Sequence, residues 1–426
     1  MFHPAHPPNN DFEKSYTHDA HQPTYWGNGL PIGDAGGCSD GVLLPLKEKW
    51  GNSEVCLDVN DAAALNNNDD KNAPQDSQPV EYDHRLATRT IESLQAAKNQ
   101  SKNFYVSVGF RKPHIVWRVP QRFYDMYKGK SLDLAKHQTL GKNTTTLAFE
   151  MNAFAGNTFP NGTLYTYGPN TPLPEEYQEE LRRGYYAAVS FLDFEVGRVL
   201  AELEQLGLAD STAVLLHSDH GWKLGEHGDW SKCTNWELDA RVPLLVRAPW
   251  IKESIGRKTE AMAELIDAFP TLVELAGLPP VPASEGIDGT SLVPALKDPT
   301  HTSPHNKTAA FSQFPRCPSY DMRKQPSYYE CLDVDREKIG RMGYSIRVKN
   351  ARYTEWRLWK PSCQGDWTPA GLVSAELYDH TGDTGLGFES YDEFEFENLA
   401  YLPERATQVA SLAAQLKEQY DKPATC

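Results

Sequence analysis

A mostly parallel α/β sheet flanked by helices, followed by a small antiparallel subdomain with a terminal helix, is the fold class this 426-residue sequence predicts. Two observations carry it. Between residues 83 and 276 the periodicities run helix, strand, helix, strand, strand, helix, as crossover-connected strands do. From about residue 309 the texture changes to short alternating segments separated by turn residues, as in antiparallel hairpins. The predicted division is 1–308, with 1–80 loop-rich, and 309–426.

Residues 1–80 lack periodicity and are rich in Pro, Gly, Asn and Asp. Asp69-Asp70 follows no apolar strand that would hold its carboxylates still, so it reads as solvated loop. Residues 83–98 read as a helix, with Ala87, Ile91, Leu94 and Lys98 on one face and Asp83 at its cap. Phe104–Phe110 reads as a buried strand. Arg111-Lys112-Pro113-His114 then falls beyond its carboxyl end, where open α/β sheets place their sites. Residues 128–174 hold no sustained pattern and read as a surface insertion. Tyr185, Val189, Leu192, Val196, Val199 and Leu203 step by 4 and 3 as a helical stripe, and Gly207 stops it. Residues 212–217 and 242–247 read as strands, and 263–276 as a helix ended by Gly277. Phe311–Phe314, Tyr344–Val348, Arg352–Trp356 and Glu376–Tyr378 read as antiparallel strands. Lys349-Asn350-Ala351 reads as a hairpin connection, and 403–420 as the final helix.

Charge and composition exclude some functions. Lys and Arg number 42 against 58 Asp and Glu, giving a net charge of −16. A dedicated nucleic-acid binder needs a basic face, so none is expected; a local basic cleft for an anionic substrate remains open. No window approaches the roughly 18 apolar residues of a membrane span. The opening residues, 1–12, hold three prolines and no apolar core, so no signal peptide is expected in this chain. Sequons at Asn99, Asn143, Asn161 and Asn306 nevertheless suit a secretory route. The seven cysteines form no zinc spacing; Cys38 with Cys56, and Cys317 with Cys331, would close short loops in an oxidising compartment.

The residues that carry chemistry cluster in Ser218–Lys232. Asp219 and His220 follow a strand directly, and a rigid strand end presenting a carboxylate and an imidazole is a metal half-site. The bland alternative is a capping Asp beside a surface His. The run also holds three glycines, two tryptophans, two histidines and the lysines Lys223 and Lys232, which could supply positive charge near an anion. Trp222 and Trp230 suit either a sugar-binding surface or core packing. His114 is a second candidate beside a plain capping histidine. Arg111, Lys112 and Arg118 suit either an anion-attracting rim or a solvated one. Tyr320, Tyr328 and Tyr329 suit a specificity loop.

Taken together, Ser218–Lys232 and Gly109–His114 resemble the sulfatase family, in particular the iduronate-2-sulfatase branch. Phe2-His-Pro4, Tyr185–Leu200, Ala268–Leu272, Met342–Arg347, Arg352–Thr354 and Glu376–Asp379 resemble family segments in family order, so the likeness spans nearly the whole chain. It implies the alkaline-phosphatase-superfamily fold, with 1–308 as the catalytic domain. It implies that Asp219 and His220 are the later metal ligands, with Ca²⁺ expected. Because imidazole is an unusual partner for so hard a cation, Mg²⁺, Mn²⁺ and Zn²⁺ stay open. It implies that His114 contacts the sulfate ester and protonates the leaving oxygen, that Lys232 binds sulfate oxygens, and that Cys38 and Cys56 form the family's first disulfide. The substrate class implied is sulfated sugars or glycosaminoglycans, cleaved in a lysosomal or extracellular setting.

The sequence departs from the family where the nucleophile belongs. The family uses formylglycine, made by a formylglycine-generating enzyme from the cysteine of Cys-x-Pro-x-Arg, and none of the seven cysteines lies in that motif; Cys317-Pro-Ser-Tyr is the nearest. The paired aspartates that begin the family's metal site are absent too. The expectation is a sulfatase lacking its N-terminal portion, inactive as it stands and poorly folded. A phosphodiesterase or phosphonate hydrolase of the same superfamily, and a non-catalytic anion- or glycan-binding protein, are the alternatives.

Overall fold

The computed structural model describes residues 55–58, 82–101, 103–115, 117–150, 168–301, 307–318, 334–384 and 391–422. They fall into two compact units. The first holds the described residues up to Leu134 together with 174–209; the second holds 135–150, 168–173 and the described residues from Asp210 onward. This differs from the expected boundary at 309, because 210–301 stays with the C-terminal sheet.

Among the described residues the first unit opens with β1 (Val55–Asp58), inside the stretch expected to be loop. It is followed by α1 (Tyr82–Gln100), β2 (Trp117–Pro120), α2 (Gln121–Asp125) and α3 (Glu175–Gln205). β1 and β2 pair in parallel, Val55 opposite Trp117 and Asp58 opposite Pro120. The partner of each strand lies far along the chain, and four residues are too few to show a period. The run Phe104–Phe110, by contrast, forms no strand, and Tyr105 is 77% exposed. Apolar and β-branched residues favour extended backbone, but a strand exists only where a neighbour takes up its N–H and C=O groups, and no described residue does so.

α3 lies against the β1–β2 pair at Gly184. A Cβ there would stand 2.7 Å from Val55 Cγ2 and 2.9 Å from Trp117 Cε3. Small residues let helix and strands approach, and the buried stripe is therefore Tyr177, Leu181, Gly184, Ala188, Phe191 and Glu195. It lies beside the predicted stripe rather than on it, and Val189 is exposed. Buried Glu195 is matched by His84 on α1 (2.9 Å) and by Arg198 (2.6 Å). Gly207 ends the helix with φ 65° as its position predicts, and Leu208 N donates to Leu203 O.

The second unit carries β3 (Val214–His217), β4 (Lys223–Leu224), β5 (Trp230–Ser231), α4 (Glu237–Ala240), β6 (Leu244–Arg247), α5 (Ala268–Leu275) and α6 (Val293–Lys297). β3 and β6 pair antiparallel. So among the described residues only β1 and β2 show the expected parallel pairing. The C-terminal sheet is β7 (Ala309–Arg316), β8 (Arg341–Val348), β9 (Ala351–Lys360), β10 (Gln364–Gly365) and β11 (Leu372–Asp379), in the order β10-β9-β8-β7 with β11 also on β9, all antiparallel. α7 (Tyr391–Phe394) and α8 (Ala406–Tyr420) complete it. Val348 faces Ala351, so the turn is Lys349-Asn350, within the predicted Lys349–Ala351 connection, and Ala351 already belongs to β9.

One face of this sheet, with Met342, Tyr344, Ile346, Tyr353, Ala375 and Leu377, packs on Leu412 and Leu416 of α8. The other face is buried as well and is polar: Ser345, Arg347, Arg352, Thr354 and Glu376 lie there. Gly343 permits this, since its Cβ would meet Asn235 Nδ2 at 2.8 Å. Residues 148–150, expected on the surface, are buried. Arg316 draws them in, donating from Nε to Leu147 O (2.9 Å) and pairing with Glu150 Oε2 (3.1 Å).

Cys317 and Cys363 are each disulfide-bonded, and Cys233 is free and buried. Cys38 and Cys331 lie outside the described residues, as does the side chain of Cys56, so the two expected pairings are not described. The Asp69-Asp70 loop, the tyrosines at 320, 328 and 329, and the sequons at Asn161 and Asn306 also lie outside them. No described helix is long and apolar enough to cross a membrane.

Candidate active site

β3 ends at His217, and Ser218, Asp219 and His220 follow at its carboxyl end. The turn is tied locally: Ser218 Oγ donates to His220 O (2.7 Å) and His220 N donates to Asp219 Oδ1 (3.0 Å). His220 Nδ1 lies 2.9 Å from Gly221 O. A carbonyl only accepts, so in the neutral ring Nδ1 carries the hydrogen and Nε2 presents a lone pair, the orientation a metal-binding imidazole needs. Nε2 faces Asp219 Oδ2 at 3.5 Å and Lys232 Nζ at 3.2 Å. Three of the four expected site residues therefore converge on one atom.

This donor set fits a divalent cation in part. Asp219 Oδ2 and His220 Nε2 are two acceptors facing each other, and the Lys232 ammonium 3.2 Å from Nε2 occupies the lone pair that a cation would have to take over. Two donors are half of a tetrahedral shell and fewer than the about 6–8 oxygens of Ca²⁺. Lys232 brings an ammonium to the same point, and it also lies over the Trp222 ring at 5.9 Å.

Other members of the run are structural. Lys223, expected near an anion, is fully buried, with its Nζ 2.5 Å from Asp239 Oδ2 and 3.5 Å from Asp229 Oδ2. An ammonium so enclosed cannot meet a ligand. Burial pushes the Asp229 carboxyl up to about 7, against the pull of Lys223. Trp230 is core, and so is His227, which packs on Trp236. Trp230 therefore packs the hairpin and offers no sugar surface, whereas Trp222 is half-buried.

His114 belongs to the first unit. Its N donates to Arg111 O (2.9 Å), and its ring Nδ1 contacts Ile115 O. Asp83, expected to cap α1, instead accepts from Arg111 N (2.7 Å) and Lys112 N (2.8 Å) and so fixes the segment leading to His114. Burial raises the Asp83 pKa, opposed by the Lys112 charge. Lys112 is itself buried and does not form a solvated rim.

One cluster has no local signal in the sequence. Glu237, His380 and Asp383 bring three donor atoms within 4.8 Å of one another. Arginines already fill it: Arg347 meets Glu237 and Asp383, Arg352 meets Glu237 and Glu395, and Arg241 meets Asp383. With three guanidinium groups in place, a further cation is repelled, so the cluster is a buried ion network. His380 Nδ1 faces Asp383 (3.1 Å) and Nε2 faces Glu395 (3.3 Å). Burial lowers the His380 pKa, but these two carboxylates outweigh it and raise it.

Residues 9–278, well over half of the chain, match the family model described as Sulfatase. The chain belongs to the sulfatase family. It is similar to the iduronate 2-sulfatase of Mus musculus, 30% identical over 363 residues that cover 75% of this chain and 63% of that protein. It is similar to the Homo sapiens protein of the same name, 30% identical over 355 residues, 73% of this chain and 62% of that one. The chain thus spans less than two thirds of the length of these relatives. In fold it is similar to a phosphonate monoester hydrolase from Silicibacter pomeroyi, with a TM-score of 0.59 at 22% identity over 82% of this chain and 64% of that one. A protein solved with its substrate D-glucosamine-2-N,6-O-disulfate gives a TM-score of 0.54 at 20% identity, over 79% of this chain and 71% of that one. At such identities these two speak for fold alone, and with the family match they agree with the expected alkaline-phosphatase-superfamily fold.

Proposed function

We propose that this chain carries metal- and sulfate-binding parts of a sulfuric ester hydrolase acting on sulfated sugars or glycosaminoglycans, in a lysosomal or extracellular setting. The observation that carries the reading is the convergence of Asp219, His220 and Lys232 at the end of β3 in a sulfatase-family chain. Asp219 Oδ2 and His220 Nε2 would hold the cation, Ca²⁺ first, with Mg²⁺, Mn²⁺ or Zn²⁺ as alternatives. When bound, it supplies Lewis-acid polarisation of a sulfate oxygen. Lys232 neutralises sulfate charge as the ester is cleaved. His114 is assigned the proton for the leaving oxygen, with Asp83 holding its approach segment. Residues 1–308 serve as the catalytic domain and 309–426 as the C-terminal subdomain.

A formylglycine nucleophile does not fit these residues, because no cysteine among the 426 lies in Cys-x-Pro-x-Arg. No step is routed through it, and a formylglycine-generating enzyme enters only as a partner of a chain that carries the motif. The test is calorimetric titration with Ca²⁺ and inorganic sulfate. Calcium binding is expected in the parent and lost in Asp219→Ala and His220→Ala; sulfate binding is expected to be lost in Lys232→Ala. Binding that survives all three changes would contradict the assignment. Aryl sulfate turnover by this chain above a His114→Ala control would show that a nucleophile resides here after all.

A further inference from the structure

Lys232 sits between two residues in the left-handed region, Ser231 with φ 107° and Cys233 with φ 82°. Residues with a Cβ rarely adopt such angles, and they persist only where surrounding contacts over-determine them. Those contacts radiate from a buried centre. Asp239 Oδ2 accepts from Thr234 N (2.8 Å), Thr234 Oγ1 (2.6 Å) and Lys223 Nζ (2.5 Å). Lys223 lies opposite Ser231 in the β4–β5 ladder, and its Nζ is 3.3 Å from Thr234 Oγ1. Arg316 Nη1 donates to Cys233 O at 3.1 Å. The same centre reaches the other arm, because Gly221 N, next to His220, donates to Asp239 O at 2.7 Å.

We propose that Lys223 and Asp239 are positioning residues: their buried ion pair clamps the His220–Gly221 arm and the Ser231–Thr234 arm together and so sets Lys232 Nζ against His220 Nε2. Neither residue can touch a ligand, since both are buried. The clamp acts through backbone placement, and the left-handed angles on both sides of Lys232 are what it holds. The inference rests on the reading of Lys232 as a sulfate-binding group.

The test uses the full chain and three readouts: melting temperature, the Kd for inorganic sulfate, and the rate at which dilute acetic anhydride acetylates Lys232, followed by mass spectrometry. Lys223→Met removes the clamp but risks unfolding, because it strands Asp229 and Asp239. Asp239→Asn is the second variant; it removes the ion pair while Lys223 keeps Asp229 at 3.5 Å and the amide oxygen can still accept from Thr234 N. For Asp239→Asn we expect a sulfate Kd weakened about tenfold and faster acetylation of Lys232 below its melting temperature. Lys223→Met is expected to give the same affinity and acetylation changes below its melting temperature. Sulfate affinity and acetylation within about twofold of the parent in folded Asp239→Asn would overturn the clamp. If the parent binds no sulfate, the sulfate reading fails by itself, and the acetylation rate still decides the positioning claim.

Discussion

Gly221→Ala tests how tightly the loop bearing His220 is held. A Cβ at this position would stand 1.9 Å from Leu238 O and 2.9 Å from Leu238 C. Since such contacts essentially never fall below 3.0 Å, the carbonyl or the loop must retreat by roughly 1 Å. The retreat strikes the hydrogen bond from Gly221 N to Asp239 O, made by the next residue along. Overpacking costs about 1–3 kcal/mol and the lost bond about 1 kcal/mol, so roughly 2–4 kcal/mol in all. Urea denaturation reads this as a lower midpoint at unchanged slope. Gly109→Ala is the control, because nothing lies within 4 Å of its Cβ, and it should stay within about 0.5 kcal/mol of the parent. Calcium affinity should fall with Gly221→Ala, because His220 is the adjacent residue. An unchanged midpoint and unchanged calcium affinity would refute the close approach and the role given to it.

Arg316→Met takes the guanidinium away from buried Glu150 and from the Leu147 and Cys233 carbonyls, and should cost about 3–5 kcal/mol in urea denaturation. Gly184→Val forces side chains into Val55 and Trp117 and should cost about 1–3 kcal/mol, with α3 helicity retained by circular dichroism. Asp229 has its pKa raised from 3.8 to about 7, so the folded state holds a proton there that the unfolded chain releases. Its contribution is fully present below about pH 4 and is lost as pH rises toward 7. The raised His380 pKa has the same sign: its stabilisation is present below the unfolded value and lost as pH rises through the folded one. Denaturation midpoints measured from pH 4 to 8 should therefore fall more steeply in the parent than in Asp229→Asn or His380→Gln.

Features with local causes were legible in the sequence. Gly207 and Gly277 stop their helices where the periodicity ends, and Lys349-Asn350 turns β8 into β9. In the Ser218–Lys232 run the approach of Asp219, His220 and Lys232 to one another was legible, whereas the packing of Lys223, His227 and Trp230 in the same run was not. Lys223 was misread because a lysine looks alike in sequence whether it faces an anion or a buried carboxylate; the carboxylate that decides, Asp239, lies sixteen residues on, in α4. Phe104–Phe110 was misread because β propensity describes a residue's preference, not whether a partner strand stands beside it. The Glu237–His380–Asp383 network was invisible for a related reason: its members are drawn from α4, from the end of β11 and from β8 and β9, and only the tertiary fold joins them.

A crystal grown with Mn²⁺ and sulfate, with data collected at the manganese edge, tests whether Asp219 and His220 hold a divalent cation beside Lys232. The predicted result is an anomalous peak between Asp219 Oδ2 and His220 Nε2, with a sulfate on the Lys232 ammonium. A peak at Glu237, His380 and Asp383 instead, or no peak at Asp219 and His220 at saturating Mn²⁺, would contradict it.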